Sequence, residues 1–175
     1  MRCWGSNEYG QLGDGTAEPS PGAVTVAGLT DVVEITCGTQ HSCARVADGS
    51  LRCWGANTAG QLGDGTTVDH RSPAAVPGII RAAQVAAGGY TTCARLTDGT
   101  TQCWGENSYG QLGDGTGILR PSPTVVVGLT GVAEIVPDRA EISCARTSGM
   151  AAVCWGTWFA GAGAAEVHNR PVTMY

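Results

Sequence analysis

The chain has 175 residues, of which 27 are Gly, eight are Cys and none is Lys, with 42% hydrophobic residues and a formal net charge of −5. This is the composition of an ordered protein, not of a disordered tail, and its mild acidity without any basic run excludes the electrostatic footprint of a nucleic-acid binder. No apolar run approaches the roughly 18 residues needed to span a bilayer, because Arg81 and Gln84 break the best stretch, so membrane insertion is not expected. The opening Met1-Arg2-Cys3-Trp4 has neither the charged start nor the apolar segment of a secretory signal, so an export signal lies upstream of this sequence or is absent.

An internal repeat dominates the sequence. CWGSNEYGQLGDGT (Cys3 to Thr16), CWGANTAGQLGDGT (Cys53 to Thr66) and CWGENSYGQLGDGT (Cys103 to Thr116) agree at eleven of fourteen positions and recur every 50 residues. Between the blocks, Cys43-Ala44-Arg45 answers Cys93-Ala94-Arg95 and Cys144-Ala145-Arg146. A fourth start at Cys154 keeps only Cys-Trp-Gly. Three repeats are therefore expected over 1–153 (3–52, 53–102 and 103–153), followed by a degenerate or capping half-repeat over 154–175.

Within a repeat the elements read as strands. Val32-Val33-Glu34-Ile35, Cys43-Ala44-Arg45-Val46 and Leu51-Arg52-Cys53-Trp54 are short, β-branched or aromatic, and bounded by Gly, Asp and Pro; none has the length or 3.6-residue period of a helix. Four short strands per 50 residues, repeated, is the pattern of a β-propeller blade. The fold class expected is all-β: a partial propeller of about three and a half blades, each of four antiparallel strands.

The cysteines follow from one hairpin. A loop Ala47-Asp48-Gly49, with Gly49 in the left-handed region, sets Cys43 opposite Cys53. Directly opposed residues of a non-hydrogen-bonded antiparallel pair lie about 4.5 Å apart at Cα, within the range of a disulfide. The spacing of ten recurs at Cys93 with Cys103 and at Cys144 with Cys154, and cross-strand disulfides are preferred over buried thiols. In the third hairpin the loop centre is Ser148-Gly149-Met150, so its turn is expected to be less regular. Cys3 and Cys37 either pair with each other or leave Cys3 orphaned. Disulfides persist in oxidising compartments, which favours an extracytoplasmic setting: secreted, periplasmic or cell-surface.

The repeat resembles the regulator of chromosome condensation family, whose units carry Trp-Gly-x-Asn-x-x-Gly-Gln-Leu-Gly-x-Gly and build a seven-bladed propeller. The resemblance covers about residues 3 to 153. Gly38-Thr39-Gln40-His41 also matches the family's Gly-x-x-His element, which the second repeat has lost at Gly88-Gly89-Tyr90-Thr91. The family name implies an alternative function, guanine-nucleotide exchange on a small GTPase, although no residue here matches the exchange machinery. Bacterial relatives imply a further alternative, a secreted enzyme inhibitor; a carbohydrate-active domain is weighed beside it.

Candidate residues fall into two groups. Those that recur are read as scaffold: Trp4, Trp54, Trp104 and Trp155 fill space between blades, and Gly10, Gly60 and Gly110 belong to tight turns. Asp14, Asp64 and Asp114 cap those turns, since a phosphate loop wants a helix and a Lys, and a cation site wants several oxygen ligands in place of one Asp. Those that vary lie in loops expected on one face and include His41, His70, Arg71, Tyr90 and Arg120, with residue types suited to interface anchoring. No nucleophile, carboxylate pair or metal spacing stands out, so the chain is read as a non-enzymatic protein-interaction module without cofactor or metal, its partner a protein. A seven-bladed ring would need about 350 residues on this period, so the chain is expected to be half a propeller that two copies would complete.

Overall fold

A computed structural model describes residues 1–137, 141–159 and 165–174. Among them there are fourteen strands and no helix. β1 (Arg2–Gly5) and β2 (Ser20–Thr25) form a two-stranded sheet. Three four-stranded sheets follow: β3 (Val32–Cys37), β4 (His41–Val46), β5 (Leu51–Gly55) and β6 (His70–Ala75); β7 (Ala82–Ala87), β8 (Thr91–Leu96), β9 (Thr101–Gly105) and β10 (Arg120–Val125); and β11 (Val132–Pro137), β12 (Ile142–Thr147), β13 (Ala152–Phe159) and β14 (Ala165–Met174). Each is an antiparallel meander in chain order, so the chain is an all-β partial propeller of three blades and a half-blade.

The blades are out of phase with the repeat as it is written from Cys-Trp-Gly. A unit starting at Cys3 gives β1 and β2 to one sheet and β3 and β4 to the next. The half-blade therefore stands at the N-terminal end, and Cys154-Trp155-Gly156 does not open a new blade but supplies β13 to the third complete sheet. Pro73, Pro121 and Pro123 all fall on β6 and β10, the outer strands, where a missing N–H costs no ladder bond on the open side. Each outer pairing slips by a bulge beside the Trp-Gly step, as between Cys53 and Gly55.

The cores lie between sheets. One joins Leu51, Leu62, Val76 and Ile79 to Ala82, Val85 and Trp104 of the next blade; a second joins Leu112, Val126 and Leu129 to Val132, Ile135 and Trp155; the third, beside the half-blade, is smaller, with Val26, Leu29, Ala44 and Trp54 buried. A single sheet buries little alone, and stacking the next one over it completes each core.

The central hairpins are in the register that the turn chemistry implies. Cys43 faces Cys53, Cys93 faces Cys103 and Cys144 faces Cys154, and each pair is a disulfide with its Cα atoms 4.1 Å apart. Gly49 and Gly99 close the first two turns at φ 82° and 85°; in the third, Met150 takes the same place at φ 68°. Cys3 and Cys37 are free thiols.

Candidate functional site

One end of the blades carries two sets of loops: the short turns 38–40 and 88–90, and the long connections 6–19, 56–69 and 106–119, which contain Gly-Gln-Leu-Gly-Asp-Gly-Thr. The long loops are held from inside. Asn57 is fully buried; its Oδ1 accepts from the Leu62 amide at 2.9 Å, while its Nδ2 donates to Asp64 Oδ1 at 3.2 Å and to the Thr66 carbonyl at 3.2 Å. Asn7 and Asn107 repeat the arrangement. Asp14, Asp64 and Asp114 each accept from the amide and hydroxyl of the Thr two residues on. Burial opposes ionisation of Asp114, but hydrogen bonds from Thr116 and Arg120 outweigh it and hold the carboxyl below its ordinary range. These carboxylates serve turns, and among the described residues no three His, Cys, Asp or Glu side chains are grouped to hold a metal.

Each long loop is also the socket for the next blade. The Gln11 carbonyl accepts from Trp54 Nε1 and Ser42 Oγ, both at 2.9 Å. The Gln61 carbonyl accepts from Trp104 Nε1 at 3.0 Å and Thr92 Oγ1 at 2.8 Å. The Gln111 carbonyl accepts from Trp155 Nε1 at 2.8 Å and Ser143 Oγ at 2.9 Å. A Cβ at Gly13 would stand 2.6 Å from the Trp54 ring, and at Gly63 or Gly113 it would meet Trp104 or Trp155 as closely, so glycine is needed for the ring to seat. Gly10, Gly60 and Gly110 likewise lie on the backbones of Arg71, Pro121 and Asn169. Trp4 has no such socket among the described residues and is 69% exposed.

The variable residues are sorted by the same geometry. His41 is 1% exposed, with Nε2 2.9 Å from Thr92 Oγ1. The Thr92 hydroxyl donates to Gln61, so the imidazole Nε2–H is the donor to Thr92, and burial brings the ring's pKa down to about 4. His41 thus braces two blades from inside the core, away from the exposed loop residues. His70 Nε2 lies 2.8 Å from Asp64 Oδ2, and Arg120 Nε 2.8 Å from Asp114 Oδ2, so both cover their own turns while remaining partly exposed. Arg71 is exposed and Tyr90 is 41% exposed. Val68 and Ile118, from the segments that vary most between repeats, and Tyr109 are exposed on the same loops. Between the first two long loops, Glu8, Tyr9, Val68, Asp69 and Arg71 line a cleft of about 410 Å³. The common feature of Val68 and Ile118 is legible as an apolar residue two positions after Asp-Gly-Thr, where the first repeat has Glu18.

A family model described as the regulator of chromosome condensation (RCC1) repeat matches residues 3–45, 48–95 and 98–152, and a second model of the same repeat matches 32–61 and 82–111. Among solved structures the chain is similar to human WBSCR16, with 24% identity and a TM-score of 0.85 over 98% of this chain and 46% of that one. It is also similar to yeast RCC1 (Prp20), crystallised bound to Kap60, with 21% identity and a TM-score of 0.81 over 99% of this chain and 44% of that one. The chain spans less than half the length of either protein.

Proposed function

We propose for this chain, which belongs to the regulator of chromosome condensation repeat family, the role of a non-enzymatic protein-binding module that engages a protein partner through its variable long loops. One observation carries this reading: the recurring Trp54, Trp104 and Trp155 and the recurring Asn7, Asn57 and Asn107 are buried between and beneath the blades, whereas Val68, Arg71, Tyr90, Tyr109 and Ile118 differ from repeat to repeat or stand exposed at one end. Aromatic and Arg side chains beside a cleft are the residue types that anchor protein interfaces. The three cross-strand disulfides support an oxidising, extracytoplasmic setting for the encounter.

The test is an affinity measurement on the intact, oxidised protein against extracytoplasmic proteins of its source. Arg71→Ala with Tyr90→Ala, and separately Val68→Asp with Ile118→Asp, are expected to weaken binding by on the order of tenfold or more, with unchanged thermal unfolding. Binding indifferent to all four changes, or accelerated nucleotide release from a small GTPase on adding the chain, would overturn the reading.

A further inference from the structure

Two of the three inner hairpins pair an arginine with a carboxylate of their own, and the middle one does not. Arg45 Nε lies 2.7 Å from Glu34 Oε2 across β3 and β4, and Arg146 Nε and Nη2 lie 3.3 and 3.2 Å from Glu134 Oε2 across β11 and β12. The register recurs in β7 and β8, where Arg95 stands opposite Gln84, and opposed residues project from one face. Gln84 carries no charge, and its amide is engaged elsewhere: Oε1 accepts from the Ile135 amide at 3.0 Å and Nε2 donates to the Ile135 carbonyl at 3.1 Å. Glu34 performs both duties, since the oxygen that holds Arg45 also accepts from the Val85 amide at 3.3 Å. The middle hairpin keeps the tie to the next blade and loses the countercharge. Arg95 Nε is buried with no hydrogen-bond partner, and Arg95 forms no ion pair, among the described residues. Its sheet has a neighbour on either side, β7 packing on β3 and β4 and β11 on β7 and β8, so Arg95 stands inside the stack and not at a flank.

The seam beside Arg95 is also more open at the end where the hairpins turn. Two residues beyond Arg45 the turn 47–49 closes on the next blade: the Ala82 amide donates to the Gly49 carbonyl at 2.9 Å, and a Cβ at Gly49 would stand 3.1 Å from Arg81 Cα. At Gly99, the same place in the turn beyond Arg95, a Cβ would meet nothing within 4 Å. We propose that Arg95 is a receptor for an external carboxylate, which approaches along this seam and supplies the countercharge that Glu34 and Glu134 provide within the sister hairpins. An acidic side chain of a protein partner and a small free acid share that chemistry. A half-buried guanidinium favours such a ligand over water, because charge-assisted hydrogen bonds to a carboxylate are about twice as strong as neutral ones and gain further where solvent is partly excluded, and because a buried donor left unpaired costs its desolvation. β8 runs from the turn 88–90, beside the long loops, down to the turn 97–99, so Arg95 lies toward the opposite end of the blade from the loop face.

The probe is sodium acetate, exchanged for sodium chloride at constant ionic strength in a solution of the full-length oxidised protein whose arginines are isotopically labelled at Nε. The Arg95 Nε–H resonance is expected to move saturably, with an apparent dissociation constant on the order of tenfold below that read at Arg71, which is exposed and likewise forms no ion pair among the described residues. N-acetylglutamate N-methylamide, which carries the same carboxylate on the side chain of a capped residue, is the second arm: a tighter response than acetate assigns the carboxylate to an acidic residue of a protein partner, and an equal or weaker one to a small free acid. Gln84→Glu, which restores the pair of the sister hairpins, is expected to set the resonance at its shifted position without acetate and to abolish the response. No saturation, a response no stronger than that of Arg71, the same shift on raising chloride alone, or an acetate response that persists in Gln84→Glu would each overturn the proposal. None of these readouts involves the loop-face partner, so the two readings fail independently.

Discussion

Met150 sits where two sister hairpins have glycine, and its φ of 68° lies in the region that side chains avoid. A left-handed conformation costs a non-glycine residue roughly 1–2 kcal/mol, and glycine gives back roughly 0.5–1 kcal/mol in backbone entropy. Met150→Gly should therefore stabilise the protein by about 0.5–1 kcal/mol, read as a higher denaturation midpoint at unchanged slope; a lower midpoint would show that the exposed Met side chain contributes more than its backbone costs. His41 gives a second prediction, in pH. Its ring is disfavoured as a cation in the folded state, with a pKa of about 4, against an ordinary value near 6.5 in the unfolded chain. Between these values the unfolded chain binds the extra proton, so stability rises with pH across this window and is lost as pH falls from about 6.5 to 4, by up to about 3 kcal/mol. The depressed carboxyls of Asp14 and Asp114 act lower, because their contribution is present above the ordinary Asp value and lost below it. His41→Thr, which copies Thr91 at the same place in the next blade, should flatten the midpoint between pH 4 and 6.5 and leave the steeper loss below pH 4. A slope that survives the substitution would assign the effect elsewhere.

At the level of strands and hairpins, the disulfides tie β4 to β5, β8 to β9 and β12 to β13, each across a separation of ten residues. Closing a loop of that size is worth about 2–3 kcal/mol, so Cys93→Ala with Cys103→Ala should lower the unfolding free energy by about that much. Native protein should show two reactive thiols before reduction and eight after it. Four or more reactive thiols in the native protein would mean that at least one hairpin is not bridged. These hairpins are the most legible part of the sequence, because Asp-Gly turn chemistry and a fixed Cys spacing both act over ten residues. The blade boundaries were less so: Cys-Trp-Gly is the most conspicuous start of the period, but it falls on the third strand of a sheet, and phase is set by contacts between sheets that no local signal marks. The sockets were hidden for a related reason. Their acceptors are backbone carbonyls of Gln11, Gln61 and Gln111, to which the side-chain pattern contributes only the recurring Ser42, Thr92 and Ser143. His41 differs from Thr91 as a variable loop residue would, and it matches the Gly-x-x-His element; its 1% exposure places the difference in the core.

Across the whole molecule, stability is shared between neighbours, since every core is made by two adjacent sheets. A given side chain is then worth more or less according to its place along the stack. Ile35 and Ile135 test this without any change of chemistry: both lie at the same step of an inner strand, in β3 and β11, but Ile35 is 56% exposed at the N-terminal flank and Ile135 is 2% exposed against β7 and β8. Truncating a buried Ile costs about 2–5 kcal/mol through lost transfer energy and the cavity left behind, whereas an exposed one leaves no cavity. Ile135→Ala should therefore lose about 2–5 kcal/mol and Ile35→Ala less than about 1 kcal/mol, measured by denaturant unfolding under identical oxidising conditions. The half-blade adds a kinetic counterpart. With two strands, a small core and Trp4 outside any socket, β1 and β2 should open locally ahead of the rest, so their amides should exchange hydrogen faster than those of β8. Equal losses for the two Ile variants would mean that the flank at β3 is covered in solution as fully as the blade at β11, and that the position of a blade in the stack does not govern what its core is worth.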